Sequence, residues 1–174
     1  AIRLLCVGVE RPETIGTILA SLDLVSDADI IRWFEEDKEV NLQCAARAYV
    51  KTKARHQGIT WLEEVVSSVR FCVDGRLALA ASIPTEERFW NWIAKFDDAF
   101  VNAYWSSANC HEIPEAQCVE AISLLLAHER PWRALDVLFR LKCGGELSVD
   151  SVTVINVLSA CLSVQENSDR SHYS

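Results

Sequence analysis

NLQCAARAYVKTKARHQGITWLEEVVSSV, residues 41–69, contains two helical patterns with a break between them. Leu42, Ala45, Ala46, Tyr49 and Val50 recur at the three- and four-residue spacing of one helix face. Gln57-Gly58-Ile59-Thr60 interrupts the pattern. Thr60 with Glu63 then forms a capping box, which starts a second helix at Trp61 with Leu62, Val65, Val66 and Val69 on its inner side. A second stretch, EAQCVEAISLLLAHERPWRALDVLFRL at 115–141, repeats the plan: helix, break at Glu129-Arg130-Pro131, helix opening on Trp132. Val119, Ile122, Leu125 and Leu126 are expected inside the first half, and Trp132, Leu135, Leu138 and Phe139 inside the second. Hairpins of this kind bury their faces against one another, so the expectation is an all-α stack of antiparallel helical hairpins.

The flanking sequence fits the same class. Pro12 suits the first position of a helix over Glu13–Leu22, and Ser26 stands as N-cap before Ile30, Ile31, Trp33 and Phe34. Asp74-Gly75 signals a turn, followed by an apolar stretch from Leu77 to Ile83. Glu86 and Glu87 favour a helix start ahead of Phe89, Trp90, Trp92, Ile93 and Phe96, and Phe100 to Trp105 continues as another helix. After Gly144-Gly145, Ser148 or Asp150 is expected to cap a last helix through Val152, Ile155, Leu158 and Leu162, although residues 149–157 also fit a strand. One domain is expected over residues 1–164, with a polar, disordered tail over 165–174.

Composition narrows the functional classes. Half of the 174 residues are apolar and 24% are charged, the balance of a soluble globular chain. The apolar runs are far shorter than the roughly 18 residues of a membrane span. Seven cysteines, an odd and scattered set among apolar neighbours, suit reduced thiols and a cytoplasmic setting. The chain starts as if a helix were already under way and has no methionine, so it reads as a piece of a larger protein. Net charge is −8. Residues 1–87 carry 10 basic and 14 acidic side chains and residues 88–174 carry 7 and 11, so each half is −4, which disfavours nucleic acid and anionic lipid as partners.

Motifs for chemistry are sparse. No phosphate-binding glycine loop or nucleophile elbow is present among only 6 glycines. Cys110, His111, Cys118 and His128 lack the paired short spacings of structural zinc. The doublets Glu63-Glu64, Glu86-Glu87 and Asp97-Asp98 suit helix N-termini, because adjacent helical residues do not converge on one substrate. No catalytic residue, metal or cofactor is assigned. Arg47, Lys51 and Arg55 fall at i, i+4 and i+8 on one helix face, with Lys53 and His56 nearby, and form the best candidate contact for an anionic partner. Trp33, Trp61, Trp90 or Trp92, and Trp132 fall about 30 to 40 residues apart, close to the period of HEAT-like helical repeats, and are read as wedges between hairpins.

Residues 103–138, including Ala103-Tyr104-Trp105 and His128-Glu129-Arg130-Pro131-Trp132-Arg133-Ala134-Leu135-Asp136, resemble irregular HEAT-like helical-repeat regions of large, mostly uncharacterised bacterial proteins. The resemblance covers about residues 40–142. It implies a short right-handed, HEAT- or armadillo-like solenoid and a scaffold role. Arg133–Phe139 followed by Asp150–Cys161 also resembles one pentatricopeptide unit, a family that reads single-stranded RNA. The leading expectation is a noncatalytic protein-interaction scaffold that binds another protein or other domains of its parent chain. Single-stranded RNA binding is the alternative. A third reading, a hydrolase with a tryptophan-lined groove, needs a buried carboxylate facing Trp90 or Trp92.

Overall fold

The structure, a computed structural model, describes residues 10–23, 25–35, 39–144 and 149–171, with side chains to residue 164. It is helical throughout, with no strand among the described residues. One domain was the expectation for residues 1–164; the contacts group the chain into two compact units, Ala1–Pro84 with Arg88–Ser107, and Thr85–Glu87 with Ala108–Ser174.

The first unit contains α1 (Pro12–Leu22), α2 (Asp27–Ile31) running into a 3-10 turn (Arg32–Glu35), and α3 (Val40–Ser68). It continues with α4 (Val73–Ala80), α5 (Glu87–Ile93), which belongs to this unit from Arg88 onward, and α6 (Asp98–Ser106). The helix α3 breaks where the sequence places a break, at Gly58, whose φ of 75° and ψ of −156° are non-helical. Nothing lies within 4 Å of where a Gly58 Cβ would stand, so the backbone angle, not crowding, selects glycine there. Gly16 has the opposite reason. A Cβ on it would stand 2.0 Å from the Ala45 carbonyl oxygen, so α1 crosses α3 at a distance that only glycine permits.

A polar network ties α1, α2 and both halves of α3 together. Asp27 accepts hydrogen bonds from the Tyr49 hydroxyl (2.5 Å) and the Trp61 indole (2.8 Å), which stand on either side of Gly58. Lys53, with its side chain only 4% exposed, pairs with Asp23 at 2.5 Å and reaches Asp27 at 4.0 Å. Burial, followed by the hydrogen bond to Asp27, pushes the Tyr49 phenol well above its ordinary range. Lys53 therefore belongs to the core and not to the basic stripe with which the sequence groups it.

Asp74-Gly75 is not a turn between elements. The Cys72 sulfur accepts the Gly75 N–H at 3.2 Å, and both residues lie in the first turn of α4. Asp97 caps α6 by accepting the Phe100 N–H, and its carboxylate also pairs with Arg76 at 2.5 Å. That guanidinium lies over the Phe100 ring. The Phe100 N–H, then Arg76, hold the Asp97 carboxyl below the usual carboxylate range. Around α5 and α6, Trp90 meets Trp105 at 5.8 Å, Trp92 meets Phe96 at 4.6 Å, and the Tyr104 hydroxyl donates to the Pro84 carbonyl.

The second unit contains two 3-10 turns (Cys110–Glu112 and Glu115–Gln117), α7 (Cys118–Ala127), α8 (Pro131–Gly144) and α9 (Ser151–Ser171). Thr85 belongs to it through its hydroxyl oxygen, which accepts the Asn109 N–H. Glu129, in the left-handed region at φ 57°, turns the chain from α7 into α8. Ile122, Leu125, Val137, Leu138 and Leu141 form the core. Three expected core residues differ. Trp132 is 52% exposed, Phe139 68% and Val119 40%, because Ala134, Val137 and Leu141 occupy the inner line of α8 while Cys118 and Ala121 occupy that of α7.

The larger departure is α9. Residues 149–157 form no strand: Asp150 accepts the Thr153 N–H and hydroxyl and starts a helix at Ser151. Ser148 and Gly145, the other expected cap and stop, lie outside the described residues. The helix continues to Ser171, through most of the segment expected as a tail. Its inner side consists of Val157 and Cys161, whereas Val152, Ile155, Leu158 and Leu162 are all exposed.

Candidate functional site

Two surfaces concentrate the residues capable of recognition, one in each unit. The first is an open groove of about 630 Å³ along the crossing of α1 and α3. Gly16 makes it possible, because the close approach of the two helices sets Glu13 and Thr17 of α1 beside Cys44 and Ala48 of α3. Arg47, Lys51 and Arg55 all line this groove, so the i, i+4, i+8 stripe lies on one wall as its spacing requires. With a rise of 1.5 Å per residue, their attachment points span roughly 12 Å. Arg47 and Arg55 are exposed and Lys51 is half-buried. Arg88 donates to the Arg55 carbonyl at 3.2 Å, which adds a fourth cationic side chain close by.

Hydroxyl groups complete the groove. Thr17, Thr52, Ser82 and Ser107 line it, and each donates its hydroxyl proton to a backbone carbonyl of its own segment, at 3.1, 2.8, 2.6 and 2.8 Å. Sequence reasoning found the cations by helical spacing but missed these hydroxyls: Thr52 shares α3 with the cations, and Thr17, Ser82 and Ser107 come from three further segments.

The second surface is the outer side of α9. No residue from Ser151 to Gln165 carries a charge. Val152, Ile155, Leu158 and Leu162 are 66, 60, 47 and 63% exposed; at 3.6 residues per turn Val152, Ile155 and Leu162 lie roughly opposite Val157 and Cys161, and Leu158 lies on the flank between the two sides. Solvated helix faces are polar, so this one is exceptional.

The remaining candidates are simpler. Trp33, Trp61 and Trp90 are buried in the first unit, whereas Trp132 is exposed in the second. Trp90 Nε1 is buried and has no hydrogen-bond partner, so no carboxylate is bonded to it. Glu63, Glu64, Glu87, Asp97 and Asp98 are exposed. Cys110, His111, Arg140 and Cys143 line a depression of about 770 Å³, where Arg140 donates to the Cys110 carbonyl. Cys118 is turned to the Pro114 carbonyl at 3.5 Å, and burial pushes its thiol up. Among the described residues no group of three or more His, Cys, Asp or Glu side chains could hold a metal ion, and no helix is long and apolar enough to cross a membrane.

The chain was compared with protein-family models, with curated proteins and with solved structures, and no match was found in any of the three.

Proposed function

We propose that this chain is a noncatalytic, HEAT-like stack of helical hairpins that binds another protein, or another part of its parent chain, through the outer face of α9. The observation that carries this reading is the exposure of Val152, Ile155, Leu158 and Leu162 on a helix whose first fifteen residues are uncharged. In stacked-hairpin proteins a terminal helix needs a polar outer face to remain soluble, whereas an internal helix is apolar on both sides and is covered by the next hairpin. The helix α9 has the composition of the internal kind. The occupant that fits it is an amphipathic helix with its own uncharged aliphatic face.

The test is site-specific photocrosslinking in extract of the source cells, with a benzophenone side chain at Leu158 and, as a control, at the exposed Glu63 of the first unit. The expected result is one discrete adduct at position 158 that disappears when Ile155→Glu and Leu162→Glu are added. Equal labelling at both positions, or an adduct indifferent to the two glutamates, would sink the reading.

A further inference from the structure

Cys110 and Cys143 both line the open depression of about 770 Å³ in the second unit, although the chain separates them by the whole of α7 and most of α8. Both are free thiols, the first half-buried and the second exposed. We propose that they form a redox pair: a hydroperoxide entering the depression converts them into a disulfide, which a thiol reductant reopens.

The backbone brings the pair to one corner of the depression. The Cys110–Glu112 turn packs on α8, with Cα atoms of the two segments within 8 Å of one another, and the Arg140 guanidinium donates to the Cys110 carbonyl. Cys143 follows Arg140 by three residues, so the two side chains share one face of α8. Helical side chains lean toward the N-terminus of their helix, which tips the Cys143 sulfur back over Arg140 and toward the carbonyl that Arg140 holds. A disulfide needs Cα atoms about 4.4–6.8 Å apart. Cys143 lies in the last turn of α8, next to Gly144, and the end of a helix is where the remaining approach costs least.

Other uses of the two thiols are less well supported. Among the described residues no third His, Cys, Asp or Glu joins them in a group that could hold a metal ion. The rival partner is Cys118, close enough to Cys110 for their charges to interact. Its sulfur is buried and turned to the Pro114 carbonyl at 3.5 Å, and burial pushes its thiol up, so it stays protonated. Only a thiolate attacks, which makes Cys118 a poor partner. Cys161 is buried with its thiol likewise pushed up, and Cys44 and Cys72 belong to the first unit.

The exposed Cys143 thiolate attacks one peroxide oxygen and the O–O bond breaks. The departing oxygen takes up a proton and leaves as water, or as an alcohol from an organic hydroperoxide, and Cys143 becomes a sulfenic acid. The Cys110 thiolate then attacks that sulfur; the S–S bond forms, the S–O bond breaks and the oxygen leaves as water. The two thiols lose two electrons and two protons, and the peroxide gains them. Dithiothreitol reverses the bond by thiol–disulfide exchange.

The test adds hydrogen peroxide to the reduced whole chain, alkylates the residual thiols and digests after glutamate without reductant. Cleavage after Glu112 and Glu115 separates Cys110 from Cys118, and cleavage after Glu146 separates Cys143 from Cys161. The expected product is a peptide pair joining Cys110 to Cys143, formed at a rate independent of protein concentration and removed by dithiothreitol. Cys110→Ser should lose the bond and leave a dimedone-reactive sulfenic acid on Cys143. Phenylarsine oxide, which bridges neighbouring thiols without an oxidant, should protect both cysteines of the wild type from iodoacetamide and should fail to protect the one that remains in Cys110→Ser or Cys143→Ser. The proposal is overturned if Cys110 or Cys143 bonds instead to Cys118 or to a second chain, if peroxide oxidises the exposed Cys72 while leaving both as thiols, or if the arsenical protects neither.

Discussion

The two units hold their helices together by different means. In the first, a buried lysine, two aspartates, a tyrosine and a tryptophan bridge α1, α2 and both halves of α3, and a glycine lets two helices touch. In the second, the described core is mostly aliphatic, and its last helix leaves five large apolar side chains exposed, Val152, Ile155, Leu158, Leu162 and Val164. Polar networks fix a particular arrangement, because each donor and acceptor must find its own partner. Aliphatic packing fixes it less strictly, and an uncovered aliphatic face is available for another surface. The contrast is one of packing: paired polar groups define the first unit, and the second leaves apolar side chains of its last helix exposed.

The sharpest way to break the contrast is Gly16→Val. A side chain placed 2.0 Å from the Ala45 carbonyl forces α1 off α3, and the loss should be about 3 kcal/mol, the upper range for overpacking, read by urea unfolding. A loss under about 1 kcal/mol would show that the crossing is loose.

Next in size is the network. Asp27→Ala removes the acceptor of the Tyr49 hydroxyl and the Trp61 indole and should cost about 2–3 kcal/mol. Lys53→Met should stay within about 1 kcal/mol, because an apolar replacement avoids burying a charge and Asp23 remains solvated. Equal losses for the two variants would mean that the ion pair, rather than the Asp27 hydrogen bonds, holds α3 across its break.

In the second unit the two sides of α9 should separate cleanly. Val157→Ala, on the buried side, should cost about 2 kcal/mol from two lost methyl groups. Ile155→Ser and Leu162→Ser, on the outer side, should each change stability by no more than about 0.5 kcal/mol while abolishing capture at position 158. If the serine variants unfold the unit, the outer face is part of its core.

The smallest expected effect is electrostatic. Asp97 and Asp150 cap α6 and α9 as carboxylates, and hydrogen bonds to their charged forms lower both pKa values. A depressed carboxylate pKa contributes stability that is fully present above the unfolded value near 3.8 and is lost as pH falls through the lower folded value. Acid titration of wild type against Asp97→Asn and Asp150→Asn should therefore converge below that window and differ only above it. A difference that persists in acid would assign the effect to something other than the charged caps.

Much of the architecture was legible because helical spacing is a local property. The break at Gly58, the turn at Glu129-Arg130-Pro131 and the stripe of Arg47, Lys51 and Arg55 were each set by residues within two or three turns of one another. Asp74-Gly75 misled because a cysteine sulfur can cap a helix, and dipeptide turn statistics do not include that acceptor. The groove was half legible: its cations share one helix, but Thr17, Ser82 and Ser107 arrive from segments that only folding brings together.

By itself, then, the sequence determined that the chain is helical, where its main breaks fall and which side chains share a helix face, since backbone preferences and periodicity act over a few residues. Which of two apolar faces is buried was decided only by tertiary structure. On α9, Val157 with Cys161 and Ile155 with Leu162 offer comparable apolar sides, and the packing of α9 within the second unit, not the helix's own pattern, turned the first pair inward. The same holds for Gly16 and Lys53, whose roles depend on a neighbour about thirty residues away, a distance over which local sequence carries no signal.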